Sequence, residues 1–381
     1  MNSLFSIISS VPDYRHGNRM VYPLDYLLLV VFTGVMSGFS TWTEFELYAE
    51  LHEEDLKETY KNLTDRELKS YIPSHDTFAH VMQSLDPVAF QKAFADWVSA
   101  IVSLKGQHIS LDGKTMRGVK KLDPDAEAHT VTAYLPALRL SLDQVFISKK
   151  SNEINAVREL LDLIDSEGAV FTADAIVTQT DIVDKIIEKK ADYVFSVKNN
   201  QPGTYFEIEE LFKPFYKDCI NKIEMTEGGH GRIETRTMES ILDPFQFSEI
   251  EGYKRLNAWN GLRTVCKMTR TRVIKKTGQE STETSYFISS LSDPSKIFNL
   301  IREHWAVENN LHYCLDVFFN EDRSLRRKGN AHKNVNIVYK AALFFLERVK
   351  ASTGRSFNAL KKICATGKPS DILALNFSIL L

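Results

Sequence analysis

The stretch 301-IREHWAVENNLHYCLDVFFNED-322 decides how the rest of the chain is read. Upstream, Asp293-Pro294 is a helix start: a capping carboxylate, then a proline in the first turn, where a missing N–H costs nothing. At 3.6 residues per turn, His304, Glu308, Leu311, His312 and Leu315 share one face. A carboxylate flanked one turn each way by imidazoles, among apolar residues, is costly to bury without a partner. A cation caged with aspartates from elsewhere is one such partner. A solvated helix with its acid turned outward is the other reading of the same pattern.

With 381 residues, the chain can hold two or three domains, and 43% hydrophobic with 25% charged residues is ordinary globular composition. Cys219, Cys266, Cys314 and Cys364 are far apart and form no CxxC pair. That argues against a cysteine zinc site or a disulfide framework and fits a reducing cytoplasm. No signal peptide is visible, and the apolar run 26–36 is too short to span a membrane.

The net charge of −3 is unevenly spread: residues 1–106 hold 8 Lys/Arg against 14 Asp/Glu, a balance of −6, which leaves +3 for the remainder. Basic clusters lie late, at Arg255, Arg263, Lys267, Arg270, Arg272, Lys275 and Lys276, then at Arg323, Arg326, Arg327, Lys328 and Lys333. A solvated face is the default for each; phosphate binding gains weight where such clusters surround a catalytic site.

Residues 1–105 read as a helical unit. The run 21–38 is apolar nearly all round, and 41–63 mixes acids and aromatics at helical spacing. A helix opens at 73-PSHDT-77 and another at Pro87, running through Trp97 to Val102. The unit is a scaffold or a DNA-binding module, its acidity counting against bare phosphate attraction.

Lys105-Gly106 ends the helical pattern. The alternating run 108-HISLD-112 is a strand closing on an aspartate. Gly113-Lys114-Thr115 is not a P-loop, because the position five before Gly113 is His108. Runs 129–136 and 139–148 complete three consecutive strands, read as an antiparallel meander. A helix over 153–165 buries Ile154, Val157, Leu160, Leu161 and Ile164. The run 169-AVFTAD-174 is a strand that again ends in an aspartate, followed by a helix over 178–190 and a strand over 192–198.

Residues 202–284 read as a β-rich insertion: a helix over 206–216, then strands over 222–225, 232–239, 255–258 and 263–273. In 229-GHGRIETR-236 the strand period puts Arg232, Glu234 and Arg236 on one face. A strand over 285–291 and an amphipathic helix over 332–350 follow, with 351–381 as a C-terminal tail. The expected fold class is α/β with a mixed layer.

Asp112 and Asp174 each end a strand, and Glu308 lies on a helix after the layer. Sites in open α/β sheets gather at strand ends. Carboxylates crowded there repel one another unless divalent ions sit between them, and hard Mg²⁺ or Mn²⁺ prefers such oxygens. Two ions would activate a water or hydroxyl and stabilise the leaving oxygen of a phosphodiester. Either aspartate alone is weak evidence, because strands often end in Asp for its turn preference.

Around these acids the chain resembles the DDE transposases of bacterial insertion sequences, in the H-repeat-associated (RHS-linked) group. The resemblance spans nearly the whole chain. It rests on 73-PSHDTF-78, 111-LDGK-114, 172-TADA-175 with Gln179, 198-KNNQ-201, 230-HGRIETR-236, 286-YFISS-290 and, above all, 304-HWAVEN-309 with Leu311-His312 and 315-LDV-317.

It implies a helical N-terminal associated domain over 1–105 and an RNase H-like catalytic core over 106–201 and 285–350. The β-rich insertion 202–284 would precede the last acid. It implies Asp112, Asp174 and Glu308 as catalytic, metal-binding residues holding Mg²⁺ or Mn²⁺, two ions in all. The Tyr-x-x-Arg-x-x-x-Glu-x-x-x-x-x-x-Lys signature common in related transposases is incomplete, since its positions hold Ile301, His304, Glu308 and Leu315. His304, His312 and Arg302 are the available substitutes, with Arg302 on a different face.

The expected function is hydrolysis of phosphodiesters at the element's own ends, then strand transfer of the freed 3′-hydroxyl into target DNA. Lys114, Arg117, Lys198, Arg232 and Arg236 are the candidate DNA-backbone contacts. The expected partner is double-stranded DNA, both terminal inverted repeats and target, bound by a homodimer or larger assembly, with no membrane as partner. The expected location is the cytoplasm, on the nucleoid when bound to DNA. Three rival readings keep the same residues: a nuclease without strand transfer, an inactive domesticated DNA-binding protein, and a zinc site from the His304/Glu308/His312 spacing.

Overall fold

A computed structural model describes residues 4–15, 20–213, 218–229, 231–247 and 254–377. His230 and Tyr216 of the stretches singled out above lie outside them. The N-terminal unit is six helices: α1 (Leu4–Ser10), α2 (Leu24–Met36), α3 (Trp42–Leu51), α4 (Glu53–Thr64), α5 (His75–Ser84) and α6 (Pro87–Ile101).

Helix α2 is buried on every side, as its unbroken apolar run requires. The helix expected over 41–63 is two, divided at His52. Thr41 and Glu44 form a capping box at the start of α3. Ser74 caps α5, and Asp86 caps α6 with Pro87 in its first turn.

The α/β layer follows: β1 (His108–Thr115), α7 (Arg117–Leu122), β2 (His129–Leu135), β3 (Leu140–Phe146), α8 (Glu153–Leu163), β4 (Val170–Ala173), α9 (Thr180–Glu188), β5 (Asp192–Val197) and α10 (Pro202–Leu211). The meander is as read, except that α7 interrupts it. Strands β1, β4 and β5 are parallel, while β1–β2 and β2–β3 are antiparallel.

Between residues 202 and 289 come β6 (Asn221–Gly229), β7 (Arg232–Leu242), β8 (Thr264–Ile274) and β9 (Glu280–Ser289). They do not form a separate layer. Strand β9 pairs antiparallel with β5, so all nine strands make one sheet in the order β3-β2-β1-β4-β5-β9-β8-β7-β6. The strand expected over 255–258 is a 3₁₀ turn, Leu256–Ala258. The cause is Glu207 on α10, whose carboxylate accepts the backbone N–H groups of Arg255 and Leu256 at 2.8–3.0 Å and curls the chain there.

Helix α11 (Pro294–His304) runs into a π-helical turn (Val307–His312), α12 (Tyr313–Phe318), α13 (Ala331–Thr353), α14 (Phe357–Thr366) and α15 (Pro369–Phe377). Helix α13 carries the centre of the molecule. Nearly all of it is buried, against β3 on one side and α2, α5 and α6 on the other. Trp97 of α6 packs its ring 5.9 Å from Phe344 and 5.8 Å from Phe345 of α13. One continuous apolar core therefore joins the N-terminal helices to the sheet, and the helices hold the far side of the layer that carries the acids.

Candidate active site

Sheet register brings the two aspartates together. Ile109 and Leu111 of β1 pair with Phe171 and Ala173 of β4, and all four are buried. Leu111–Ala173 is the last rung, so Asp112 and Asp174 are the next residues at the carboxyl ends of adjacent parallel strands. Beyond it, β1 continues beside β2 to Thr115, while Asp174 turns the chain into a 3₁₀ turn. The crevice left where neighbouring strands diverge is where sites form in such sheets.

The third acid comes from the π-helical turn. The N–H of Tyr313 bonds the carbonyl of Glu308, an i→i+5 closure that fits one extra residue into the helix. The single face expected over 301–322 is therefore split. His304 leaves Glu308 and bonds Thr172 Oγ1 through Nδ1 at 2.8 Å, with Nε2 at 4.0 Å from Asp174. Glu308 and His312 stay together at 2.9 Å, and His312 Nδ1 also lies 3.4 Å from Asp112. The His304/Glu308/His312 set read as a zinc motif is thus pulled apart.

Electrostatics follow from burial. Desolvation pushes the Asp112 carboxyl up to about 6, and the negative charges of Asp174 and Glu308 push the same way against His312. Its Oδ1 accepts the Gly113 N–H at 2.8 Å. The hydrogen bond to His312 holds Glu308 below its ordinary value, with Lys114 and Arg117 assisting. Burial lowers His304, with Lys198 adding to the effect and Asp174 opposing it. His108 is held down at about 3 by burial beside His304, and its Nε2 lies 2.8 Å from Thr172 Oγ1. A neutral imidazole–hydroxyl–imidazole chain therefore backs Asp174.

Among the described residues, Asp112, Glu308 and His312 offer ligand atoms within 4.8 Å of one another. His312 Nε2 is buried with no hydrogen-bond partner. Two carboxylates and an imidazole are a donor set that fits a divalent cation. Asp174 is mostly exposed and stands beside this group.

The candidate DNA contacts fall into three situations. Lys114 is nine-tenths buried and spent on carboxylates: its Nζ is 2.8 Å from both oxygens of Asp316, 3.6 Å from Glu321 and 3.7 Å from Asp322. Arg117 projects into solvent 3.6 Å from Asp322, and Lys198 is exposed in a cleft with Asp174 and Gln179. Arg232 and Arg236 line a cleft of about 770 Å³ that reaches Trp305 and Asn309 beside the π-helical turn.

Arg270, Arg272 and Arg302 share that cleft. Its arginines are largely compensated: Arg236 and Arg302 meet Glu227 at 2.7 and 2.6 Å, Arg272 meets Glu234 at 3.2 Å, and Arg270 pairs with Glu283. His304 and His312, the expected substitutes for the missing signature residues and so DNA-contact candidates, face Asp174 and Glu308 respectively.

Sequence reasoning missed Thr172, Asp316, Glu321 and Lys340. Glu321 is buried, bonded by Asn336 Nδ2 at 2.5 Å. Lys340 is buried on α13 with its Nζ 2.7 Å from Thr132 Oγ1 and bonded to Gln144. One signal was present: Lys114 shares a strand face with Asp112, so its charge needed an anion nearby.

Residues 103–345 match the family described as Transposase DDE domain, and residues 5–98 match the one described as DDE_Tnp_1-associated. The chain is 33% identical over 374 residues to "Putative transposase YncI" of Escherichia coli O157:H7, covering 95% of this chain and 92% of that protein. It is 33% identical over 385 residues to "Putative protein YbfL" of Escherichia coli K12, covering 94% and 97%. It is 32% identical over 385 residues to "H repeat-associated putative transposase YhhI" of the same strain, covering 94% and 97%.

Proposed function

The chain belongs to the DDE transposase family, and we propose that it hydrolyses phosphodiesters at the ends of its own insertion element and joins the freed 3′-hydroxyl to target DNA. The observation that carries this reading is the grouping of Asp112, from a strand end, with Glu308 and His312, from the π-helical turn, into a donor set that fits a divalent cation, with Asp174 one residue past the last rung of the adjacent parallel strand.

In this reading Asp112, Asp174 and Glu308 hold Mg²⁺ or Mn²⁺, with His312 beside them. Bound ions would neutralise the phosphodiester and activate the attacking hydroxyl. The chain's own residues do the rest. His312 bonds Glu308 at 2.9 Å and keeps that carboxylate ionised and aimed at Asp112. The His108–Thr172–His304 chain fixes the wall behind Asp174 without adding charge. Arg117 and Lys198 flank the acids from solvent and orient phosphates.

The arginine cleft of β7, β8 and α11 continues from the acids through Asn309 and receives the DNA on that side. Strands β1 to β5, with three antiparallel strands followed by helix–strand–helix–strand, support an RNase H-like reading of the core. Transposition joins two ends, which supports a dimer or larger assembly on DNA.

The test is a supercoiled plasmid carrying the element's ends, incubated with the full chain and Mg²⁺ or Mn²⁺. Joined products support the proposal. Nicks alone would reduce it to a nuclease, and an intact plasmid under conditions where DNA binds would overturn it.

A further inference from the structure

A second basic cleft, of about 620 Å³, opens where the N-terminal helices meet the loop between α12 and α13. Its cations are Arg323, Arg326, Arg327 and Lys328, and no carboxylate lines it among the described residues. The nearest acids are occupied: Glu44 in the capping box of α3, Glu321 with Asn336, and Asp322 with Lys114 and Arg117. Arg323, Arg327 and Lys328 are exposed and form no ion pair among the described residues. Arg326 stacks 4.7 Å over the Trp42 ring, and its guanidinium bonds the hydroxyls of Ser324 and Tyr339. The contrast with the first cleft is chemical. There each named arginine has a glutamate; here like charges are gathered at one rim with no carboxylate among the described lining residues, an arrangement that costs repulsion unless a polyanion lies across it.

Position supports the same reading. The loop is anchored to the candidate active site, because Asp322 takes the Arg117 backbone N–H at 3.1 Å and lies 3.7 Å from Lys114, two residues beyond Asp112 on β1. The arginine cleft is lined by β7, β8, β9 and α11, whereas this cleft is lined by residues at α3 and α5, by Leu122 of α7 and by the 319–331 segment. We propose that the cleft between Trp42 and the 323–328 loop binds the phosphate backbone of duplex DNA, as a contact separate from the arginine cleft. It thereby makes the N-terminal helices and the catalytic layer grip the duplex together. The inference rests on the proposed function for its choice of DNA as polyanion.

The experiment is the salt dependence of binding to a fluorescent duplex of arbitrary sequence, for the full-length wild type and the triple variant Arg323→Ala/Arg327→Ala/Lys328→Ala. Each lost phosphate contact lowers the slope of log affinity against log salt by about 0.9, so the triple variant should lose about 2.7. Between 50 and 200 mM salt, wild type should then lose about 40-fold more affinity than the variant. The charge-keeping variant Arg323→Lys/Arg327→Lys/Lys328→Arg should keep the wild-type slope. An unchanged slope in the alanine variant overturns the proposal, as does equal loss in the charge-keeping variant. Plasmid joining by wild type is read separately: its failure with the slope difference intact would sink the transposase chemistry and leave the cleft standing.

Discussion

Lys114 Nζ lies 2.8 Å from both carboxylate oxygens of Asp316, so the strand that carries Asp112 is tied to the helix that follows Glu308. The two residues are 202 positions apart in sequence. With Glu321 and Asp322 also within 4 Å, one ammonium is shared by three acids, two residues along β1 from Asp112. Lys114→Met should leave that buried group unneutralised and cost about 3 kcal/mol. Urea denaturation checks it, and Asp316→Leu in the Lys114→Met background should recover part of the loss. A Lys114→Met protein as stable as wild type, but with weakened DNA binding, would return Lys114 to the phosphate-contact role that its sequence position suggested.

Lys340 sets a pH dependence. Burial pulls its ammonium down to about 7, against the attraction of Glu321 and Asp143. An unfolded lysine keeps its proton to about pH 10.4. Between pH 7 and 10 the unfolded chain therefore binds more protons than the folded one, and stability rises with pH by up to about 1.4 kcal/mol per unit. Lys340→Met should remove this slope. From pH 7.5 to 9 the wild type should gain about 2 kcal/mol relative to the variant in urea denaturation. Parallel pH profiles would mean that Lys340 stays charged in the fold.

Gly118 of α7 sits directly beneath the loop that carries Arg323. A Cβ built there would meet the backbone oxygens of Asp322 at 2.6 Å and Ser324 at 2.7 Å. Gly→Ala inside a helix normally stabilises by up to about 1 kcal/mol. Here the backbone cannot yield as a side-chain tip would, so Gly118→Ala should instead destabilise by roughly 1–3 kcal/mol. A variant melting higher than wild type would show that α7 and the loop are not packed so closely.

Much of this architecture is legible in residues. Asp86-Pro87 and Asp293-Pro294 announce helix starts because their chemistry is local, and each does cap its helix. Runs 108–112 and 169–174 alternate or stay apolar because strands bury them, and β1 and β4 fall there. What periodicity cannot carry is a one-residue insertion in a helix. The π-helical turn leaves the apolar pattern of 301–322 intact while turning His304 away from Glu308. Nor does alternation say which strand pairs with which: β6 to β8 read as strands, but only the β5–β9 pairing makes them part of the central sheet. The partners of Lys114 lie in another part of the chain, so a lysine beside a candidate metal-binding acid reads as a phosphate contact until the fold brings Asp316 to it.

The central claim is that Glu308 acts with Asp112 and Asp174 in chemistry and is more than a structural partner of His312. Glu308→Gln keeps size and hydrogen-bonding capacity while removing one negative charge, which relieves repulsion on Asp112 and offsets the weaker bond to His312. The direct measurement is single-turnover, Mg²⁺-dependent cleavage of an element end by Glu308→Gln, at enzyme concentrations that bind all the DNA. The account predicts wild-type DNA binding and melting, with the rate falling by more than the 10–100-fold typical of losing a supporting partner of a metal ligand. A variant that melts early yet cuts at near the wild-type rate would contradict it.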